Sequence, residues 1–468
     1  MSSTRSSWNA RRTRCLALLA PCFLGACSSS APPTGRFTRV ADMLTPRTIA
    51  SAARLPDGRI IVVGGLVGTS IKDPASQTSS TEIYDAGSNQ WTSAAPVPLR
   101  VPVVNTLASL SSGLVLAVGQ DQTSRGISAD SLRSYLYDPA SDRWIETGHL
   151  PAEAQYWANL FSNAVELSDG RVLIAGGFSF DSGIPPYDPT ATISTSKVSL
   201  LFTPNATDPA LGSWDFTRDG AGNVTQMQSP HELTPMVKLK DGRVLVCGGR
   251  SKAAGTIMEP IAGSAACDLF DPATGTWTST LPMPAIAGED GPGSADPGSR
   301  INHIIAGLPS GEVLIAGGGF FTTDTALGYA IRRSSLLFDP KTPASPWKSA
   351  PDLNEGVESS ILLSPVAGGI LPAVGGDKIE DTIGDFLDTA VTQLFDPAER
   401  AWRFGADLPK VHPYWADSAG LAADYQGPVV SVSVATAADL GNGSTLIAGG
   451  TSNEHPGPSG NAYVFQYP

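Results

Sequence analysis

The chain has 468 residues, including 49 glycines and 38 prolines, and its formal net charge is −13. Such a negative surface repels nucleic acid and anionic lipid headgroups, which excludes nucleic acid as a partner. Glycine and proline are spread evenly, and no charged or low-complexity linker divides the chain. This composition favours one large repetitive all-β body over two or three separate domains.

The N-terminus has the composition of an export signal. Four arginines precede a short apolar run from Cys15 to Ala26. A run of about a dozen apolar residues is too short for a membrane-spanning helix, which needs roughly 20. Residues 1–26 are therefore predicted to be a signal peptide that is removed.

The end of this segment, Leu24-Gly25-Ala26-Cys27, resembles the bacterial lipobox. The resemblance implies cleavage before Cys27, acylation of its thiol and a flexible tether over residues 27–35. Several acyl chains would hold the protein firmly in a membrane, so a lipid anchor is expected. Ser28 follows where Asp would resemble an inner-membrane retention signal, which favours the outer membrane or cell surface. A plain secretory signal with a coincidental cysteine is the alternative.

Two cysteines remain beyond this segment, Cys247 and Cys267. They lie in the same repeat, on strands that we expect to pair. In an oxidising compartment this placement favours a cross-strand disulfide, and two buried free thiols are the alternative.

Internal repetition is the strongest pattern in the sequence. A short apolar run ends in a Gly-Gly pair at 64/65, 176/177, 248/249, 317/318, 375/376 and 449/450, with Gly119-Gln120 as a degenerate seventh copy. Spacings of 55 to 74 residues indicate one supersecondary unit per repeat, with the excess length in loops.

Repeat one shows the order of elements within a unit. Residues 47–54 alternate as an inner strand, 55–58 form a turn, and 59–63 form a buried strand. Residues 81–85 follow as a third strand, and Trp91 begins a fourth. Each unit is therefore predicted to be a blade of four antiparallel strands.

The seventh repeat ends before any Trp strand, so its outer strand must come from another part of the chain. Phe37 lies 54 residues before Trp91, in a segment (36–43) that matches the residues around a blade Trp elsewhere. The N-terminal strand is therefore predicted to close the ring.

The double Gly, the aromatic-Asp strand and the later Trp together resemble the kelch motif over residues 36–468. The resemblance implies an all-β, seven-bladed kelch-type β-propeller. Propellers of this class include enzymes, binding modules and scaffolds, so the resemblance alone does not assign a function.

The connections between the second and third strands are long, and in kelch propellers they emerge on one face. They are residues 178–197, 250–265, 320–333, 377–388 and 451–461. Long insertions on one face are typical of a binding surface. The main hypothesis is a membrane-anchored, extracytoplasmic, non-catalytic module without a cofactor that binds an unknown protein or glycan there.

Candidate ligand-binding residues come from the start of each inner strand, 17 positions before the first Gly of each pair. Counting back gives Arg47, Pro102, Asn159, His231, Arg300 and Glu358, with Arg100, Tyr156, Trp157 and His303 nearby. The segment His412–Asp417 is similar to Tyr156–Asn159, which adds Tyr414, Trp415 and Asp417. Aromatic and polar groups together suit a carbohydrate or peptide. The alternative is a channel filled by water and mutual salt bridges.

Two enzymatic alternatives follow from the resemblance. Copper oxidases of the galactose oxidase type share this fold, and they would make Tyr156, His231, His303 and Tyr414 the ligand candidates. The histidines show no close ligand spacing, so no metal is predicted. A sugar epimerase could instead bind a carboxylated sugar through Arg47, Arg300 and Glu358.

Overall fold

Short runs of four or five apolar residues recur along the chain, and each forms one buried strand of a small sheet. The computed structural model describes residues 32–68, 74–98, 104–120, 132–151, 157–158, 164–180, 192–205, 207–208, 211–251, 255–256, 262–325, 328–379, 386–409, 411–412, 435–452 and 455–468. Thr34–Pro468 form one compact unit. No helix within the described ranges is long and apolar enough to cross a bilayer.

The strands are numbered in chain order. The first part of the chain holds β1 (Arg36–Arg39), β2 (Ser51–Arg54), β3 (Ile60–Val63), β4 (Thr81–Asp85), β5 (Gln90–Ala94), β6 (Val104–Ser109), β7 (Val115–Gln120), β8 (Leu132–Asp138), β9 (Arg143–Glu146), β10 (Trp157–Ala158), β11 (Val165–Glu166), β12 (Val172–Ala175), β13 (Phe178–Phe180), β14 (Thr192–Thr195), β15 (Ser199–Thr203) and β16 (Ser213–Phe216). The middle holds β17 (Met236–Lys238), β18 (Val244–Cys247), β19 (Arg250–Ser251), β20 (Gly255–Thr256), β21 (Ala262–Gly263), β22 (Cys267–Asp271), β23 (Thr276–Ser279), β24 (Ile304–Gly307), β25 (Val313–Ala316), β26 (Gly319–Phe321), β27 (Tyr329–Ile331), β28 (Ser335–Phe338) and β29 (Trp347–Ala350).

The last part holds β30 (Ile361–Leu362), β31 (Leu371–Val374), β32 (Asp377–Ile379), β33 (Phe386–Asp388), β34 (Thr392–Asp396), β35 (Ala401–Phe404), β36 (Val411–His412), β37 (Ala435–Asp439), β38 (Ser444–Gly449), β39 (Thr451–Ser452), β40 (His455–Pro458) and β41 (Ala462–Gln466). Two short 3₁₀ turns span Pro74–Ser76 and Ala367–Gly369.

Seven four-stranded antiparallel sheets form the blades of a propeller. Blades one to seven have the strand orders β2-β3-β4-β5, β6-β7-β8-β9, β11-β12-β15-β16, β17-β18-β22-β23, β24-β25-β28-β29, β30-β31-β34-β35 and β37-β38-β41-β1. Each hydrophobic cluster joins residues of two neighbouring blades, as where Ile61 of blade one packs in one cluster with Ala117 of blade two. The predicted seven-bladed fold with four strands per blade is confirmed.

Blade seven is completed by the N-terminal strand. β1 pairs antiparallel with β41, with Arg36 opposite Gln466 and Phe37 opposite Phe465. The Phe37 and Phe465 rings lie 4.9 Å apart, between centroids. Phe37 therefore takes the place that a Trp has in the other blades, and the predicted ring closure is confirmed.

The fourth-strand Trp links each blade to the preceding one. In blade one the Trp91 ring lies 5.0 Å from the Tyr84 ring, and its Nε1 donates to Ala41 O at 2.8 Å. The ring contact recurs in the other Trp blades, and each indole again donates to the preceding blade. The acceptor is a carbonyl oxygen for Trp144 and Trp347, and a serine hydroxyl for Trp214, Trp277 and Trp402. An aromatic pair of this kind adds about 0.5–1.5 kcal/mol beyond area burial.

The long connections between second and third strands contain further strands in blades three to seven. They form the pairs β13-β14, β19-β21, β26-β27, β32-β33 and β39-β40, which together we call the collar. All five pairs belong to the same connection of their blades, so the collar lies on one face of the propeller. The sequence predicted these segments only as long loops.

Candidate functional site

The Gly-Gly pairs, each at the end of a second strand, join neighbouring blades. The second Gly of one blade donates its N–H to the residue that begins the next blade, as from Gly249 to Arg300 O at 2.7 Å. The backbones approach closely here, since a Cβ on Gly248 would lie 2.7 Å from Arg300 O. Both glycines also have positive φ, 72° and 87°. The pairs are therefore structural, because only glycine suits this conformation and this contact.

Three predicted ligand residues are buried at these junctions, and we call Arg47, His231 and Arg300 the clamp residues. Each is at most 1% exposed. Arg47 donates to Gly64 O and Ser80 O, both at 2.9 Å, and forms an ion pair with Glu82 at 2.5 Å. These contacts tie the inner strand of blade one to its second and third strands.

The other two clamp residues make equivalent contacts. Arg300 donates to Gly317 O at 2.7 Å and to Ser334 O at 3.0 Å. His231 Nδ1 lies 2.8 Å from Gly248 O, and its Nε2 lies 3.3 Å from a carboxylate oxygen of Asp268. The clamp residues thus engage their own blades, and a ligand-binding role for them stays a prediction.

Glu358 does not occupy the clamp position that the 17-residue count gave it. Gly318 N donates to Val357 O at 2.8 Å, so Val357 holds that place in blade six. Glu358 instead forms a β-bridge with Asp377, as Glu232 does with Arg250 in blade four. Val357 lies 18 positions before Gly375, so the stretch between the clamp position and the Gly-Gly pair is one residue longer in this blade and shifts the count.

Glu358 lies in a buried polar cluster between blades five and six. It is 1% exposed, and its Oε2 accepts a hydrogen bond of 2.5 Å from the Tyr329 hydroxyl. The Asn302 side chain also donates to this carboxyl group, and the Gly319 amide, which donates to Ile301 O at 2.9 Å, lies nearby. Its Oε1 has no hydrogen-bond partner among the described residues. Burial raises the pKa of Glu358 to about 8 despite these donors.

Gly319 makes this cluster possible. A Cβ at Gly319 would lie 1.7 Å from the Tyr329 hydroxyl oxygen and 2.5 Å from Glu358 Oε2. Tyr329 is buried, which raises its phenolic pKa, and the nearby carboxylate of Glu358 raises it further. The Tyr329 hydroxyl therefore stays protonated and remains a hydrogen-bond donor.

His303 lies in blade five, three residues after Arg300. Its imidazole is buried, and neither ring nitrogen has a hydrogen-bond partner among the described residues. Burial, and then the charge of Arg300, lower the pKa of His303 to about 3. The imidazole is therefore neutral at physiological pH.

Several predicted site residues fall outside the described part of the chain. They are Cys27, Arg100, Pro102, Tyr156, Asn159, Tyr414, Trp415 and Asp417. The backbone of Trp157 pairs with Ser179 in the β10-β13 ladder. Of the predicted ligand residues, the described structure brings together Arg300 and His303 in blade five, while Arg47, His231 and Glu358 lie in three other blades.

Cys247 and Cys267 stand opposite each other on β18 and β22 and are joined by a disulfide. Both residues are at most 1% exposed. The bond crosslinks the second and third strands of blade four at the end next to the Gly-Gly pair.

The described residues do not fit a copper site. His231 has both ring nitrogens engaged by Gly248 and Asp268, and His303 lies in the next blade. Within the described ranges, no cluster of three or more His, Cys, Asp or Glu side chains is arranged to hold a metal ion. Tyr156 and Tyr414 lie outside these ranges.

Sequence reasoning missed Tyr329, Asn302 and Gly319, which surround Glu358. Tyr329 lies in a long connection without a repeat signal, and Asn302 follows a clamp residue at a position that varies between blades. One signal was present: an acid, Asp377, follows the Gly-Gly pair of blade six where Arg250 follows that of blade four.

Comparison with known proteins supports this architecture. Residues 51–98, which include all of blade one, match the kelch motif. Together with the seven repeated blades, this match supports a kelch-repeat β-propeller.

Two curated proteins are similar in sequence. The Kelch-like protein terF of Aspergillus terreus is 23% identical over 337 residues, covering 64% of this chain and 66% of that protein. β-Scruin of Limulus polyphemus is 26% identical over 154 residues, covering 32% of this chain and 15% of that protein. The chain thus spans less than two thirds of the length of each.

Among solved structures, a novel fungal alcohol oxidase of the AA5 family in complex with copper superposes with a TM-score of 0.56. It is 13% identical, and the match covers 93% of this chain and 77% of that one. At this identity the likeness concerns the fold alone.

Proposed function

We propose that this protein is a membrane-anchored extracytoplasmic propeller that binds a protein or glycan ligand on its collar face. The observation that carries the proposal is the collar itself. Strand pairs rise from the same connection in five consecutive blades of the described structure. Such extensions are not needed to complete a four-stranded blade, and insertions concentrated on one face are typical of recognition.

The collar is also a supported surface. β21 contacts β26, and β27 contacts β32, so strand pairs from blades four, five and six touch one another. Beneath them, the clamp residues fix the inner strands. A preorganised surface loses less conformational entropy on binding than free loops do, which favours affinity.

Membrane anchoring rests on the lipobox-like segment that ends in Cys27. We expect metabolic labelling with palmitate in a bacterial host to mark the wild-type protein, and the Cys27→Ser variant to remain unlabelled and in the soluble fraction. Labelling of the Cys27→Ser variant would contradict acylation at this residue.

Ligand binding can be tested by screening the full chain against glycan and extracellular-protein arrays, followed by two matched variants. Thr323→Arg adds a bulky charge to an exposed collar position, and Ser168→Arg adds it to an exposed turn between first and second strands, on the opposite face. We expect the first to weaken binding at least about tenfold, a change of about 1.4 kcal/mol, and the second to have no effect.

Equal affinity of the two variants, or no ligand in either array, would contradict this function. Carboxylated sugars belong in the glycan set, and each bound sugar is recovered and analysed by NMR for chemical change. A changed sugar would favour the enzymatic alternative over a binding module.

A further inference from the structure

The cluster of Glu358, Tyr329, Asn302 and Gly319 joins two blades beneath the collar. Tyr329 begins β27 in the collar of blade five, whereas Glu358 stands at the start of blade six. Their hydrogen bond of 2.5 Å therefore connects the β26-β27 hairpin to the neighbouring blade. Gly319, the first residue of β26, leaves the space in which this contact forms.

The surroundings of Glu358 favour a neutral carboxyl group. Asp377 on β32 pairs with it through backbone hydrogen bonds of 3.1 and 2.9 Å and adds a second buried acid. The charge of Arg250 on β19 acts on Tyr329, and Arg250 forms an ion pair with Glu232. One oxygen, Oε1, has no partner among the described residues.

This buried site accommodates a neutral carboxylic acid at a much lower free-energy cost than a carboxylate. Burying an unpaired charge costs far more than burying a neutral polar group, and a charged carboxylate needs donors on both oxygens. Ionisation would therefore drive Glu358 to recruit water at Oε1, which requires the β26-β27 hairpin to move away from blade six.

We propose that the contact between Glu358 and Tyr329 is a proton-dependent latch that holds the β26-β27 hairpin of the collar against blade six. The latch is closed while Glu358 is protonated and opens when it ionises. Its effect on ligand affinity rests on the function proposed above, but the latch itself does not. In an alkaline medium the collar face would have one mobile hairpin, and in a neutral or acidic medium it would be closed.

The direct test is the protonation state of Glu358 in the full chain without any ligand. In pH-difference infrared spectra, we expect the carbonyl-stretch band of a protonated carboxylic acid to disappear with a midpoint near pH 8, the raised pKa of Glu358. This band should be absent from the Glu358→Gln variant. Glu399→Gln, which removes an exposed carboxyl group from the same blade, should leave it unchanged.

Hydrogen exchange tests the opening. From the midpoint to one pH unit above it, the exchange rates of β26 and β27 amides should rise more than the pH dependence of the intrinsic chemical rate accounts for. One pH unit beyond the pKa, the opening should be about tenfold greater than in the protonated state, since the ionised ratio has then changed tenfold. Amides of β24 and β25 in the same blade should show no excess. In Glu358→Gln, which keeps an acceptor for Tyr329 without an ionisable group, the excess should vanish.

A third variant distinguishes a latch from a merely buried acid. Tyr329→Phe removes the donor to Oε2, so the midpoint of the infrared band should move to higher pH, while β26 and β27 should already exchange faster at neutral pH. The proposal is overturned if no band titrates, or if wild type and Glu358→Gln have the same pH-dependent exchange. A failed ligand screen would count against the proposed function and leave these measurements unaffected.

Discussion

Blades four and six differ in the residue that follows the Gly-Gly pair. After its Gly-Gly pair, blade four places Arg250 opposite Glu232, and the two side chains form a buried ion pair. Blade six places Asp377 opposite Glu358, so that two acids stand at the equivalent positions. Blade four also has a disulfide between the ends of its second and third strands, whereas Val374 and Thr392 occupy those places in blade six.

Because of this difference, the stability of blade six depends on pH more than that of blade four does. An ion pair and a disulfide hold blade four in one arrangement over a wide range of pH. Blade six has a carboxyl group whose pKa is raised to about 8 by burial, so its stability depends on protonation. Two kinds of residue pair at one position of the repeat, together with the disulfide of blade four, therefore give two parts of the collar different mechanical properties.

The largest expected effect comes from breaking the ion pair of blade four. Arg250→Met leaves the Glu232 carboxylate, 2% exposed, without its cation. A buried charge that loses its partner costs about 3–5 kcal/mol, so we expect the urea midpoint to fall sharply. Lys348→Met is the control, since Lys348 is 46% exposed and its ion pairs should contribute under about 1 kcal/mol. Similar losses in both variants would show that burial of the pair is unimportant.

The second test removes the disulfide that blade six lacks. The bond closes a segment with a sequence separation of 20 residues, and loss of such a crosslink typically costs about 2–4 kcal/mol. We expect the Cys247→Ala, Cys267→Ala double variant to unfold at lower urea concentration than wild type, and reductant to affect wild type alone. Equal stability of wild type with and without reductant would speak against a stabilising disulfide.

The pH dependence of blade six gives an effect of similar size under alkaline conditions. Because folding raises the pKa of Glu358 from 4.5 to about 8, the folded state holds this proton where the unfolded state has lost it. Its contribution to stability is complete below about pH 4.5, is lost as pH rises towards 8, and is constant above. Glu358→Gln should therefore gain stability relative to wild type between these values, by at most a few kcal/mol. Parallel pH profiles of the two proteins would contradict this.

A smaller loss of stability is expected when the space beside Gly319 is filled. Gly319→Ala places a methyl group against the Tyr329 hydroxyl and Glu358, and overpacking of this kind costs about 1–3 kcal/mol. Gly220→Ala is the control, because a Cβ there meets no atom within 4 Å. Differential scanning fluorimetry should show a lower melting temperature for the first variant alone.

The smallest effect at neutral pH is predicted for His303. His303→Leu replaces an imidazole whose nitrogens have no hydrogen-bond partner in the described structure, so stability should change by less than about 1 kcal/mol at pH 7. His231→Leu should cost more, because it removes the imidazole partner of both the buried Asp268 carboxylate and the Gly248 carbonyl group. The pKa of His303 is lowered to about 3, so wild type loses stability as pH falls from 6.5 towards that value. An unchanged acid profile in His303→Leu would contradict this assignment.

The fold could be predicted because every blade repeats the same constraints. The Gly-Gly pair, the aromatic third strand and the Trp recur at regular places, and Phe37 matched the missing outer strand of blade seven. Such signals are local and redundant, so a degenerate copy such as Gly119-Gln120 did not hide the ring.

The site was harder to predict, because a polar side chain at the start of an inner strand can either hydrogen-bond within its blade or line the central channel. Arg47 and Arg300 donate hydrogen bonds to buried carbonyl groups of their own blades, and the sequence does not distinguish this role from ligand binding. One additional residue before the Gly-Gly pair of blade six moved Val357 out of the counted position and placed Glu358 there instead. The partners of Glu358 come from a different blade, and no spacing within one repeat could reveal them.

The pairing of β1 with β41 sets the order of events when this protein folds. Arg36 and Gln466 are hydrogen-bonded although 430 residues apart in sequence, so β1 can pair only after β41 has formed. Closing a loop of that size costs about 3 kcal/mol more than closing one of a dozen residues. Until then the facing edges of β1 and β41 are unpaired, and unpaired edges are sites for association with other chains. The time between completing six blades and sealing the seventh is therefore when the protein is most exposed to aggregation.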